Sequence, residues 1–256
     1  MTRLAMGTSA LALAALVTAA AAQAQQQQPA NPPAAPQQQD TRPTIAILDF
    51  DIGLVLGQSA DDYQALRRGL SSMMISELAS APALRVVERA QISQILQEQN
   101  LTRDDRVDQA TAVRLGRLLS ARYMVTGTLF DNRGDLRIDA RLFDVETSQI
   151  LQTVSVRDRS HGLENVFDLL TQLATQLMQA ANLPPLERRA DAPPPARPAT
   201  GAPTQAAVMA YSRAVLYSDR GDTQRAVEQY RRALTAFPQY TQAQSECNRL
   251  LAGACP

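Results

Sequence analysis

The chain predicts an α/β fold, a mixed sheet flanked by helices, followed by a small all-helical hairpin with a capping helix. Three observations carry this. Thr44–Asp51 (TIAILDFD) is a short apolar run that stops on acidic residues, as a buried central strand does. Val86–Leu101 (VVERAQISQILQEQNL) passes from a strand end through Glu88-Arg89 into an amphipathic helix. Between residues 123 and 156 the period switches to two, and short turns separate the apolar stretches.

Taken in order, Thr44–Asp49 forms the first strand, and a loop with Gly53 and Gly57 leads to a helix over about Asp62–Ala81. Tyr63, Leu66, Leu70, Met73 and Leu78 make its apolar stripe, and Pro82 ends it. Leu84–Glu88 is a second strand. Ala90–Gln99 is a helix with Ile92, Ile95 and Leu96 on one face. Asp108 caps the next helix by accepting a free backbone N–H, with Ala112, Leu115 and Leu119 on its buried side. Tyr123–Phe130 is a mostly apolar strand. Asn132-Arg133-Gly134-Asp135 turns the chain, with Gly134 free to take positive φ. Asp135–Val145 alternates: Leu136, Ile138, Ala140 and Leu142 face one way, Arg137, Asp139, Arg141 and Phe143 the other. Glu146-Thr147-Ser148-Gln149 turns again into Ile150–Val156, so three strands form an antiparallel meander. His161–Ala181 is a helix striped by Leu163, Val166, Leu170, Leu173 and Leu177. The five parts are a signal segment (1–24), a Gln/Pro-rich lead (25–43), the α/β domain (44–181), a Pro-rich linker (182–203) and a helical unit (204–256). Leu183–Pro203 holds seven of the fifteen prolines, which stiffens it.

Several function classes fall away on composition. The formal net charge is zero and the pI is about 6.6, so the basic footprint of a nucleic-acid binder is missing. All 25 basic residues are Arg. Genomic base composition suffices to explain that bias. The lack of Lys removes P-loop, Schiff-base and lysine general-base chemistry. Arg3, the apolar run Leu11–Val17 and Ala22-Gln23-Ala24 read as a secretory signal cleaved before Gln25, against the alternative of an uncleaved anchor. No Cys near that site offers a lipidation point. The expected location is periplasmic. The lead from Gln25 to Pro43 reads as a solvated tail. The only cysteines, Cys247 and Cys255, have seven residues between them. In an oxidising compartment the spacing favours a disulfide closed through a bend at Gly253, with two free thiols as the alternative.

Thr44–Asp51 and Val86–Leu101, with Leu115-Gly116, Ala121–Gly127 (ARYMVTG) and Arg141–Thr147 (RLFDVET), resemble the curli secretion channel family of the CsgG/HfaB type over roughly Thr44–Ala181. The resemblance implies an extracytoplasmic assembly role, a soluble domain that oligomerises into a ring, and inserted hairpins that cross the outer membrane. Here no strand pair is left over for such a barrel, and Ser148 stands where the family usually has Gly. The implied protein is therefore a soluble scaffold, associated with the outer membrane at most peripherally. The last part resembles one tetratricopeptide repeat. Ala214 and Tyr217 lie on its first helix, Gly221-Asp222 at its turn, Ala226, Tyr230 and Ala233 on its second helix, and Pro238 at its stop. Ala210 and Arg213 depart from the pattern. Tyr240–Leu251, with Tyr240, Ala243, Cys247 and Leu250, would cap the pair as a third helix. This resemblance implies docking of other envelope proteins, with Arg213, Tyr217 and Tyr230 as contacts.

The expected function is a non-enzymatic envelope scaffold for assembly or secretion, with no cofactor, no metal and no nucleic acid. The alternative is a regulator of a cell-wall synthase, as in the penicillin-binding-protein activators that resemble this domain. A third reading takes Asp49 and Asp51 as the D-x-D of a haloacid-dehalogenase-type phosphatase. That chemistry needs a cation which those enzymes usually draw from Lys, so a structural role capping the strand is preferred. His161, at a helix start beside Ser160 and Gly162, reads as a capping or surface residue, and the mixed charges of Arg103–Arg106 as a solvated loop.

Overall fold

A computed structural model describes residues 40–56, 60–101, 107–159, 163–186, 203–253 and 255. The expected signal segment, most of the lead and linker, the charged stretch Arg103–Arg106 and His161 lie outside them. Every element below lies within the unit Arg42–Pro256.

The element order is β1 (Thr44–Ile47), β2 (Asp51–Leu56), α1 (Ala60–Ala79), β3 (Arg85–Val86), α2 (Arg89–Glu98), α3 (Gln109–Leu118), β4 (Tyr123–Asn132), β5 (Asp135–Asp144), β6 (Gln149–Asp158), α4 (Val166–Ala180), α5 (Gln205–Asp219), α6 (Thr223–Ala236) and α7 (Thr241–Leu250). The sheet runs β3-β1-β4-β5-β6, with β2 also on β4. β1 pairs β3 and β4 in parallel, while β4, β5 and β6 are antiparallel, so the sheet is mixed.

One expectation is corrected. The stretch read as a loop around Gly53 is a strand, β2, lying parallel to β4 with Asp51 opposite Thr128 and Leu56 opposite Asn132. The first strand thus breaks at Leu48–Phe50 and resumes along the same neighbour. Gly53 is what lets it do so: a Cβ there would sit 2.3 Å from the Phe130 ring. The residue that reads as a strand breaker in sequence makes room for an aromatic side chain. Other differences are at the ends. β3 keeps only Arg85–Val86 of the expected Leu84–Glu88. β6 extends past both ends of Ile150–Val156, and α4 begins at Val166 after a turn whose Val166 N–H donates to Leu163 O at 3.1 Å.

The meander turns follow from local chemistry. Arg133 and Gly134 both take positive φ (54° and 92°), the twist that joins antiparallel strands tightly. The Asp131 carboxylate accepts from the Gly134 N–H at 2.6 Å. At the second turn Ser148 is left-handed (φ 59°), a conformation glycine takes without steric cost. Its hydroxyl accepts from Arg117 at 2.9 Å, and its carbonyl accepts from Gln109 at 3.0 Å. Two α3 side chains therefore hold the strained serine.

Two cores result. On one face Ile45, Ile47, Val125, Leu129, Ile138, Ala140 and Leu142 pack against the stripes of α1 and α4. On the other, Ala46, Leu48, Met124 and Phe143 pack against Ile92 and Leu96 of α2 and Ala112 and Leu115 of α3. Asp108 caps α3 by accepting from the Thr111 N–H at 2.8 Å. Helices α5, α6 and α7 extend the first core: Ala207, Tyr211, Ala214, Tyr230 and Tyr240 belong to the same buried cluster as Leu70 and Leu173. A disulfide joins Cys247 to Cys255, and the chain bends at Gly253 (φ 115°). Asn248 and Gln244 of α7 bond the Cys255 N–H and carbonyl, each at 3.0 Å. Closing so short a loop restricts the unfolded chain by about 2–3 kcal/mol at most. Cys255→Ser is expected to lower the melting temperature, and a reductant should do the same to the parent protein but nothing further to the variant.

Candidate functional site

The acidic end of the first strand anchors a buried charge network. Asp49, 6% exposed, accepts from Ser71 Oγ of α1 at 2.8 Å and lies 3.6 Å from the Arg89 guanidinium. Arg89 opens α2. It also donates to the Arg68 carbonyl at 3.2 Å and pairs with Asp219 at the end of α5. Arg68 reaches the same Asp219 at 3.4 Å. Burial alone would lower the Arg89 pKa, but Asp49 and Asp219 override it and hold the guanidinium firmly charged. Asp51 pairs with Arg67 at 3.5 Å, and Arg67 Nε donates to Phe50 O at 2.7 Å. So the D-x-D pair is engaged by arginines and a serine of α1 and α2. Among the described residues no group of three or more His, Cys, Asp or Glu is placed to hold a metal ion.

The same network ties the C-terminal helices to α1. Tyr211, 0% exposed, shares a 2.9 Å hydrogen bond with Ser72 of α1, and burial pushes its pKa up to about 12. Its ring stacks on Tyr240 at 4.8 Å and meets Tyr230 edge-on at 5.8 Å. Tyr240 in turn meets Phe167 of α4 at 5.6 Å. At Gly69 the helix α1 lies close against Ser212 of α5: a Cβ there would lie 2.0 Å from Ser212 Oγ and 2.9 Å from Ser212 Cα.

The residues singled out in the sequence fall into distinct places. Ala214, Ala226 and Ala233 are fully buried and let α5 and α6 approach. Tyr230 is 1% exposed and packs inside the trio. Gly221 turns the chain at φ 75°, and Asp222 caps α6 through the Arg225 N–H at 3.1 Å. Pro238 follows the end of α6. Arg213 is engaged with Asp62 of α1, its Nε donating at 3.1 Å. Tyr217 is half-buried under the Arg225 guanidinium, 5.6 Å from its ring centre. Sequence reading missed Gly69, Tyr211 and Asp219 and saw Arg89 only as part of a strand–helix junction. Their partners are far away in the chain, and no local pattern marks them.

Between α1, the start of α2 and the ends of α5 and α7 lies an open cleft of about 510 Å³. Charged, hydroxyl and apolar side chains mix along its walls.

Comparison with known proteins finds a family model that matches part of the chain. Residues 25–133 match the family model of the curli production assembly/transport component CsgG. The CsgG match takes in β1 to β4 and the helices between them. No curated protein matches the chain. Solved structures similar to it include the LpoB C-terminal domain from Salmonella enterica, at 16% identity and a TM-score of 0.38, covering 46% of this chain and 83% of that one. Lipoprotein GNA1162 from Neisseria meningitidis shares 14% identity at a TM-score of 0.38, covering 54% and 96%. A PelC dodecamer from Paraburkholderia phytofirmans shares 13% identity at a TM-score of 0.33, covering 56% and 89%. Among the described residues no helix is long and apolar enough to cross a membrane.

Proposed function

We propose that the protein is a non-enzymatic scaffold of the cell envelope that acts in an assembly or secretion complex and resides in the periplasm. The observation that supports this most is the match of residues 25–133 to a curli assembly and transport component. A mixed sheet flanked by helices is the platform such a component needs for self-association. The α5–α6 pair is a tetratricopeptide-type hairpin with α7 as its cap. Its inner tyrosines meet α1 and α4 of the same chain, so docking of another envelope protein uses the outer faces of α5 and α6, where Tyr217 offers part of its ring. The acidic pair at the strand end is structural in this reading.

Light scattering on the mature chain, Gln25 to Pro256, tests the proposal. A discrete high oligomer is expected of a ring-forming scaffold. A monomer or dimer would instead favour an adaptor or a regulator of a cell-wall enzyme, and recovery of a peptidoglycan synthase on the immobilised protein would then decide for the regulator.

A further inference from the structure

The cleft between α1, α2 and the C-terminal helices has two features that packing alone leaves unused. The first is the Tyr230 hydroxyl. The side chain is 1% exposed, yet its oxygen has no hydrogen-bond partner among the described residues, and the residue lines the cleft beside Arg89, Glu246 and Arg249. Burial pushes its pKa far up, so it is a permanent donor. The second is the start of α2. The helix opens without a side-chain cap and with no acidic residue in its first turn, and Ala90 of that turn lines the same cleft. Free backbone N–H groups at a helix start favour a carboxylate.

The charges on the walls say what else the ligand carries. Arg89 is engaged by Asp49 and Asp219, and Arg249 by Glu246 at 2.7 Å. Glu88 is exposed and has no ion pair among the described residues, so the unmatched wall charge is negative. A plain anion would meet that charge, and a plain cation would meet the helix start. A ligand with both ends satisfies both. The volume of about 510 Å³ lies within the usual range for small-molecule sites, about 300–1,000 Å³.

We propose that this cleft binds a small zwitterion, a free amino acid or dipeptide. Its carboxylate rests on the first-turn N–H groups of α2 and the Tyr230 hydroxyl, and its ammonium faces Glu88 and Glu246. The inference does not depend on the scaffold reading, since it rests on wall chemistry alone.

The test is a titration of the isotope-labelled protein, as purified from its expressing cell, with alanyl-alanine at pH 7, followed by amide NMR. The amide signals of Ala90 and Gln91 are expected to move and saturate with a Kd of about 1 mM or tighter. N-acetyl-alanyl-alanine and alanyl-alanine amide should each bind roughly tenfold more weakly, since each leaves one charged end unmatched. Tyr230→Phe should weaken binding about three- to tenfold with no loss of melting temperature, because the hydroxyl it removes has no partner. Should that variant melt early, Glu88→Gln, at an exposed site, carries the same expectation for the ammonium end. Absence of any shift with alanyl-alanine, or binding of either blocked dipeptide as tightly as alanyl-alanine itself, overturns the proposal. So does full binding by a stably folded Tyr230→Phe protein.

Discussion

Arg89→Met is expected to destabilise the protein by about 3 kcal/mol, because removing one partner of a buried ion pair leaves the other's charge uncompensated. The Arg89 side chain is 18% exposed, and those of Asp49 and Asp219 beside it are 6% and 14% exposed. The methionine stem fills much of the same space, so the loss reports charge and not a cavity. Asp49 keeps its hydrogen bond from Ser71 and Asp219 its contact with Arg68, which places the loss at the lower end for such pairs. The discriminating measurement is a pair of urea melts. Arg89→Met combined with Asp49→Asn should recover part of the stability lost by the single change, since the orphaned carboxylate is then gone. A double variant no more stable than the single one would mean that Arg89 acts through packing. The consequence also reaches past stability. Arg89 joins the end of β1 to the end of α5, 130 positions away, so its loss should also loosen the C-terminal helices.

The residues of that network show where sequence reading runs out. Leu136, Ile138, Ala140 and Leu142 were legible as one face of a strand because alternation is a property of the chain itself, and all four are buried. The stripe Val166, Leu170, Leu173 and Leu177 was legible for the same reason at helical spacing. Asp108 declares itself as a cap through a bond to a residue three positions on. β2 was lost because Gly53 breaks the apolar run locally, while its reason, the Phe130 ring, sits far along the chain. The site suffered more. Arg89 and Asp219 have no shared motif, and Tyr211 looks like any aromatic on a helix until Ser72 is seen beside it. Arg213 stands out in the sequence as a departure from the repeat pattern. Its partner Asp62, on α1, explains the departure: the arginine bonds within the chain across the α1–α5 contact.

That contact gives the other large expected effect. Gly69→Val should cost about 3 kcal/mol, as overpacking of a close helix crossing does when backbone blocks relief. A Cβ at residue 69 would lie 2.6 Å from Ser212 Cβ and 2.9 Å from Ser212 Cα, so rotating a side chain cannot clear it and α5 must move away from α1. Gly is otherwise unfavourable inside a helix by about 1 kcal/mol relative to Ala. An exposed Gly69 would therefore gain from Gly69→Ala, whereas here that change too should destabilise. Ser212 supplies the nearest obstructing atoms, and its buried hydroxyl has no hydrogen-bond partner. Gly69→Ala combined with Ser212→Gly should therefore be more stable than Gly69→Ala alone. Limited proteolysis gives the structural readout, with cleavage within α5 to α7 expected to rise in Gly69→Val and to fall back in the compensated pair. Unchanged stability in Gly69→Val would mean that α5 does not pack on α1 at this crossing. The Ser72–Tyr211 bond and the Arg213–Asp62 pair would then lose their standing as the seam of a shared core, and the C-terminal helices would have to be treated as a separate body.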